Sequence, residues 1–442
     1  MDLILAFAVF FVALILCLVL GQPSLIALAI GLLAFWAVGK YRGFALADLF
    51  RMTMRGAQKS FGVIKLLLLI GVITGLWRSS GVIAYFVALG AQIITPKSFI
   101  LVVFLLSSLI GYALGTSLGI VSTIGVVMMA LARSGGVNPL IVAGAIISAS
   151  YFGDRSAPTS SGASLVAMLT GTKLIDNVVH MVKTAALPFL LSVGIYAVLS
   201  VTNPLEALDA TILGQISQSY VLTPWLILPA AMMLILPLLK VDVIYAIAIS
   251  GITSFILTMA VQDVGLIDAL KACVFGYTPE NEVIRQIFSG GGLLSMINVS
   301  GVVFISSSYS GVFQGTRMLD GIEGAINKIE AKIGLFPTTA LVGVTASATF
   351  CSQTIAIIMA NQLVDPAYKK KNASPGEQAM DISNSMVTMA AMVPWCAALA
   401  VPMQTLNVGV GLIPYAVFLY LLPICHFFTR GYFVKKGFKQ RG

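Results

Sequence analysis

Long uncharged stretches alternate with short charged ones along this chain. No Asp, Glu, Lys or Arg occurs from Leu3 to Gly39, from Ser98 to Ala132, from Gln286 to Thr316, from Ile333 to Val364 or from Ile382 to Thr429. A helix needs about 20 mostly apolar residues to cross the hydrocarbon core. The pattern predicts spans near 3–20, 23–39, 62–77, 81–95, 98–114, 138–153, 184–201, 222–239, 242–261, 293–312, 335–350, 382–406 and 408–428. A β-barrel would show short alternating strands instead. A helix satisfies its own backbone hydrogen bonds, which is why it can cross lipid. The expected fold is an all-α polytopic membrane protein.

Two segments interrupt the apolar pattern. Between 318 and 332, apolar residues recur at three- and four-residue spacing among charges, which predicts an amphipathic helix at the interface or packed on the bundle. The segment 262–292 is mixed in charge and ends in Gly290-Gly291-Gly292, so it reads as a loop whose glycines supply flexibility.

The chain also looks doubled, with a shift of about 235 residues. Two apolar spans and a charged loop open each half. Gly75-Leu76-Trp77 then answers to Gly311-Val312-Phe313, Thr116-Ser117 to Cys351-Ser352, and Pro158 to Pro394. Each match is weak by itself, but the order is kept. Paired polar breaks in two halves mark an inverted-repeat transporter, with the site where the broken helices meet. The expectation is one membrane transport domain over 1–442. It would consist of two inverted-topology repeats, near 1–220 and 221–442, with broken or re-entrant helices meeting at the midplane.

Composition agrees. Hydrophobic types make up 58% of the 442 residues and charged types 10%, against roughly 25% charged in soluble domains. The net charge of +9 is concentrated in Lys40, Arg42, Arg51, Arg55 and Lys59, in Lys369-Lys370-Lys371, and in the tail Arg430, Lys435, Lys436, Lys439 and Arg441. The positive-inside rule puts all three clusters, and both termini, in the cytoplasm. The tail is thus a topology signal and not a nucleic-acid patch. The first apolar stretch lacks a basic n-region and a cleavage site, so it reads as a span. Cys17, Cys273, Cys351, Cys396 and Cys425 form no C-x-x-C pair and read as small buried hydrophobes.

The chemistry concentrates at residues 148–165, S-A-S-Y-F-G-D-R-S-A-P-T-S-S-G-A-S-L. Asp154 and Arg155 stand between two uncharged runs, and an Asp or Arg at the centre of a span costs about 2.5–3.5 kcal/mol. Adjacent residues on a helix point apart. Gly153 and Pro158 predict a helix break that turns both side chains toward a water-lined cavity. The alternative is a short aqueous loop at the membrane edge. Hydroxyls follow at Ser156, Thr159, Ser160, Ser161 and Ser164. More lie at Thr116, Ser117, Ser122 and Thr123, and in Ser352-Gln353-Thr354. Hard cations take oxygen ligands. A lone carboxylate there can hold a proton or Na⁺ but hardly both, and that mutual exclusion is the core of antiport. Interhelical packing explains many of these hydroxyls singly. Asn384 is an amide that needs a partner within a span, and Trp395 is a candidate lid or stacking surface. Asp242, Asp263, Asp268, Glu280 and Glu282 flank spans, and His180 and His426 lie near span ends without a second metal ligand.

Enzyme readings fit poorly. Tyr151-Phe152-Gly153-Asp154 lacks the first glycine of an intramembrane aspartyl protease's G-x-G-D, and no second buried acid is evident. No G-x-S-G appears, and no G-x-x-x-x-G-K-[ST] for ATP. Ion gradients must then drive transport, with no cofactor.

These stretches resemble the NhaC-type sodium/proton antiporters of the ion-transporter superfamily. The likeness runs through Gly111–Gly125, Gly144–Leu165 with its G-D-R-x-A-P core, Ser352–Lys371 and Val393-Pro394-Trp395. It implies a bacterial inner-membrane location, an elevator-like or related alternating-access fold of two inverted repeats, cation/proton exchange and a homodimer. Some members move carboxylates or amino acids coupled to Na⁺ and H⁺. The chain departs from the pattern at Ser161, where the family carries an acid. It departs again at Ser383-Asn384, in place of an acidic pair, and at Cys396-Ala397, in place of a polar pair. Asp154 would then carry coupling almost alone, with Arg155 as its electrostatic tuner. Thr116, Ser117, Ser160, Ser161, Ser352, Gln353 and Thr354 would supply oxygen ligands. The small residues Gly162, Ala163 and Ala397 would leave room for an organic solute instead.

Overall fold

A computed structural model describes residues 2–20, 22–93, 95–205, 210–239, 241–318 and 323–435. Leu319 to Ile322 and the tail residues Lys436, Lys439 and Arg441 lie outside the described residues. Among the described residues the only β feature is an isolated bridge between Tyr277 and Gly290. Everything else regular is helical. Seven described helices are long and apolar enough to cross a membrane, or up to eight if one bent pair counts as a single span. This is an all-α polytopic membrane protein.

The helices are sorted for lipid. Helix Leu174–Thr202 buries Ser192, Tyr196 and Ser200 while it exposes Leu187, Leu190 and Val198. A water-soluble protein would show the reverse. Here the apolar face meets hydrocarbon, and the polar atoms find partners inside. Tyr196 donates toward Ser148 Oγ and the Tyr415 carbonyl, both at 2.7 Å.

Two chain stretches have matching breaks, each 236 positions apart. Helix Phe99–Leu114 ends in left-handed Gly115 (φ 67°), and helix Leu335–Phe350 ends in left-handed Cys351 (φ 51°). Thr116 and Ser352 are then extended at φ −141°, ψ 120° and φ −139°, ψ 123°. Eighteen helical residues follow each, Ser117–Ser134 and Gln353–Lys370. Segments Pro139–Ser156 and Pro375–Met392 come next. Extended Ser160 and Cys396 precede the ten-residue helices Ser161–Thr170 and Ala397–Leu406. Left-handed Gly171 and Asn407 close them.

The breaks touch one another. Gly115 leaves no room for a side chain, since a Cβ there would lie 2.7 Å from the Ser160 backbone nitrogen. In the other half, Ala397 N donates to Cys351 O at 2.8 Å. The short helix Ser161–Thr170 packs on helices Gln353–Lys370 and Pro375–Ser383, and Ala397–Leu406 packs on the turn at 121–125.

Several expectations change. Segments 117–134 and 353–370, not anticipated as spans, are continuous helices. The anticipated span 382–406 is a pair of helices bent by 48°. The expected loop 262–292 contains helices Leu266–Phe275 and Glu282–Phe288. Its glycines are wedges more than hinges. Gly290, Gly291 and Gly292 sit at φ 123°, 77° and 84°, and Gly292 N donates to Gly71 O at 2.7 Å. The amphipathic helix is Glu323–Ile333, with Glu330 buried and paired to Lys371 Nζ at 3.4 Å.

Candidate functional site

Asn138 opens helix Pro139–Ser156 by accepting from Leu140 N, with proline at the first turn where no amide bond is lost. The helix stops because Ala157 precedes Pro158 and is extended, φ −77°, ψ 140°. Gly153 lets this last turn press on helix Phe99–Leu114, because a Cβ at 153 would overlap the Gly111 backbone. Asp154, Arg155 and Ser156 thus form the final turn. Ser160 starts the next helix by accepting from Ala163 N at 3.2 Å.

Asp154 is 6% exposed, so the surface-loop alternative fails. Its carboxylate receives two long hydrogen bonds, from Ser160 Oγ at 3.4 Å and Gln353 Nε2 at 3.4 Å. Among the described residues no cation pairs with it. Gln353 also donates to Val387 O at 2.7 Å, so it ties Asp154 to the opposite half of the chain. Gly162 lies beside the carboxylate, where a Cβ would be 3.5 Å from Ser160 Oγ and 4.0 Å from Asp154 Oδ2.

Arg155 turns the other way. Its Nε donates to Ser383 O at 3.1 Å, Nη1 to Ser156 Oγ at 3.1 Å and Nη2 to Thr184 Oγ1 at 2.8 Å. Nη2 also donates to Asn384 Oδ1. The cation is fully buried in neutral acceptors and makes no bond to Asp154.

The other anticipated residues scatter. Thr116 caps its own helix through Gly119 N at 3.3 Å, and Ser117 is buried one residue on. Ser352 is half-buried, whereas Ser161 and Thr354 are exposed. Asn384 belongs to the Arg155 cage, and its Nδ2 is buried without a partner. Trp395 donates Nε1 to Ala348 O at 2.8 Å, as a strut would. Asp154, Ser160 and Gln353 are therefore the group brought together by direct bonds.

A second buried acid exists, contrary to expectation. Asp381 is 0% exposed. Arg430 holds both its oxygens, Nε at 3.0 and 2.9 Å and Nη2 at 2.8 Å. Tyr368 OH donates to Oδ2 at 2.6 Å, and His426 Nε2 sits 2.9 Å from Oδ1. Arg430 also reaches Glu377. A signal was present in the chain: Glu377 and Asp381 are four apart, as are His426 and Arg430, so each pair shares one helix face. Only tertiary packing sets those faces together. An aspartyl-protease pairing with Asp154 is not revived, because the Asp381 carboxylate is fully engaged.

The sequence pattern of the Na⁺/H⁺ antiporter family matches residues 1–163 and 149–434. An uncharacterised Na⁺/H⁺ antiporter of Haemophilus influenzae is 24% identical over 85% of this chain and 83% of its own. The Na⁺/H⁺ antiporter NhaC of Alkalihalophilus pseudofirmus is 25% identical over 90% and 88%. The malate-2H⁺/Na⁺-lactate antiporter of Bacillus subtilis is 22% identical over 89% and 84%.

Proposed function

Because the chain belongs to the Na⁺/H⁺ antiporter family, we propose that it is a secondary-active Na⁺/H⁺ antiporter in which Asp154 holds either a proton or Na⁺ and exchanges one for the other. The observation that carries this reading is a nearly buried carboxylate with no cation beside it, set where two helix breaks touch. A buried charge without a partner is costly. A bound proton removes that cost, and so does a bound cation, and the two cannot be present together. Ser160 Oγ, the Asp154 carbonyl and the Gln353 amide oxygen, once turned, would supply neutral oxygen ligands to Na⁺. Arg155 then acts as a fixed brace of the break and not as the tuner of Asp154.

The matched breaks at a constant offset support two inverted-topology repeats, near 1–220 and 221–442, that rock about the site to expose it alternately. The basic clusters support a bacterial inner-membrane protein with both termini in the cytoplasm.

A second reading keeps the fold and changes the cargo. The resemblance implies acids at the positions that Ser161 and Ser383-Asn384 occupy here, and one relative is by name a malate-2H⁺/Na⁺-lactate antiporter. The discriminating measurement uses proteoliposomes with an internal pH dye. Na⁺ alone should collapse an imposed pH gradient. A gradient that holds until a carboxylate or amino acid is added would replace the first reading by the second.

A further inference from the structure

Tyr151 lies one turn before Asp154 on helix Pro139–Ser156 and is 1% exposed. Residues three apart share a helix face, and the phenol is within electrostatic reach of the Asp154 carboxylate. Its hydroxyl joins three elements. It donates to the Ala398 carbonyl at 2.6 Å, 247 positions along the chain. The Ser117 side chain hydrogen-bonds to the same phenol. Ser117 is the first residue of the helix after the break at Thr116, and Ala398 is the second residue of the short helix Ala397–Leu406 after the break at Cys396. One buried hydroxyl therefore ties the helix that carries Asp154 to a broken helix from each half.

The sequence supplies the reason for the bond to Ala398. In an α-helix that carbonyl would accept from the amide four residues on, but Pro402 stands there, inside the helix, and has no N–H. Within a bilayer no bulk water replaces the missing donor. Tyr151 supplies it. The same bond closes a ring that returns to the carboxylate. Ala397, next to Ala398, donates its N–H to Cys351 O at 2.8 Å. Two residues after Cys351, Gln353 Nε2 reaches Asp154 Oδ2 at 3.4 Å. Asp154 and Tyr151 sit on one helix face, so each link in the ring bears on where Gln353 stands relative to the carboxylate.

A hard cation needs several oxygens in place at once, whereas a proton needs one atom. Ligands already held in place bind an ion more tightly than ligands that must be ordered first. We propose that Tyr151 is a positioning residue for the exchange reaction: its hydroxyl fixes both broken helices against the helix of Asp154 and so sets the Na⁺ affinity of the site. The inference rests on Asp154 as the exchange site.

The test is Na⁺-driven exchange by the full-length protein in proteoliposomes, with half-saturating Na⁺ and maximal rate read separately, alongside thermal unfolding. Tyr151→Phe keeps the ring and removes the hydroxyl. It should raise half-saturating Na⁺ about three- to tenfold, the scale of one hydrogen bond, with the maximal rate per folded protein little changed. It should also unfold at a lower temperature, because the Ala398 carbonyl is stranded. Adding Pro402→Ala returns an amide donor to that carbonyl. The double variant should recover the unfolding temperature but not the Na⁺ dependence. If Tyr151→Phe does not purify alone, the double variant carries the test. Wild-type Na⁺ dependence in the double variant would reduce Tyr151 to a substitute for an amide and overturn the assignment. Wild-type Na⁺ dependence in Tyr151→Phe, beside an inactive Asp154→Asn, would do the same. Wild-type exchange in Asp154→Asn would instead remove the exchange site, and this inference with it.

Discussion

Asp154 and Asp381 are both buried, on helices that occupy matching places in the two halves, yet they are held in opposite ways. Asp381 has a guanidinium on both oxygens, a tyrosine hydroxyl and an imidazole. Asp154 has two hydrogen bonds at 3.4 Å and, among the described residues, no cation. Burial alone therefore does not mark a working carboxylate. An acid whose charge is already neutralised by the protein has nothing to gain from an incoming ion. An acid left unpaired gains from any cation that reaches it.

The largest expected effect comes from removing the unpaired acid. Asp154→Asn should slow Na⁺-driven collapse of the pH gradient at least about a hundredfold, the scale on which a positioned proton-carrying group acts. Its unfolding temperature should stay near the wild type, because no ion pair is broken. Wild-type exchange in this variant would remove Asp154 from the mechanism.

Asp381→Asn should do the reverse. Breaking a buried pair by removing one partner costs about 3–5 kcal/mol, here by stranding Arg430. Thermal unfolding and protease resistance should both fall clearly, while protein that remains folded still exchanges. An undamaged Asp381→Asn protein would erase the contrast drawn here.

Gln353→Ala sharpens the comparison from the side of Asp154. Losing one weak ligand should raise the half-saturating Na⁺ concentration about three- to tenfold, the equivalent of about one hydrogen bond. Stability should change little. An unchanged Na⁺ dependence would remove Gln353 from the site.

The smallest effect belongs to Tyr368→Phe. It removes one of several bonds to Asp381 and should cost about 1 kcal/mol of stability, with exchange unchanged. Lost exchange in a stable Tyr368→Phe protein would place the Asp381 network inside the transport cycle.

Much of this was legible along the chain. The uncharged runs announced a helical membrane protein. Gly153 and Pro158 announced the break that follows Asp154, and the displaced polar motifs announced the second set of breaks. Less was legible where a segment depends on its neighbours. Segments 117–134 and 353–370 carry enough Gly, Ser, Thr and Gln to read as polar breaks. The first stays helical because its hydroxyls bond back to its own carbonyls, Ser122 to Leu118 O at 2.7 Å and Thr123 to Gly119 O at 2.6 Å. Helix Leu266–Phe275 is apolar but only ten residues long, too short to read as a span, and it buries Ala269 and Ala272 where it packs on helix Phe61–Ser79.

The sequence by itself determined that the long apolar segments must be helices in lipid and where proline and glycine interrupt several of them, because backbone hydrogen bonding and apolar length are local properties. Only the tertiary structure decided what each buried charge faces. Arg155 meets Asn384, Arg430 meets Asp381 and Gln353 meets Asp154 across 229, 49 and 199 positions of chain. The field at a carboxylate is set by whichever atoms lie within a few ångströms in space, and no spacing along a chain records that.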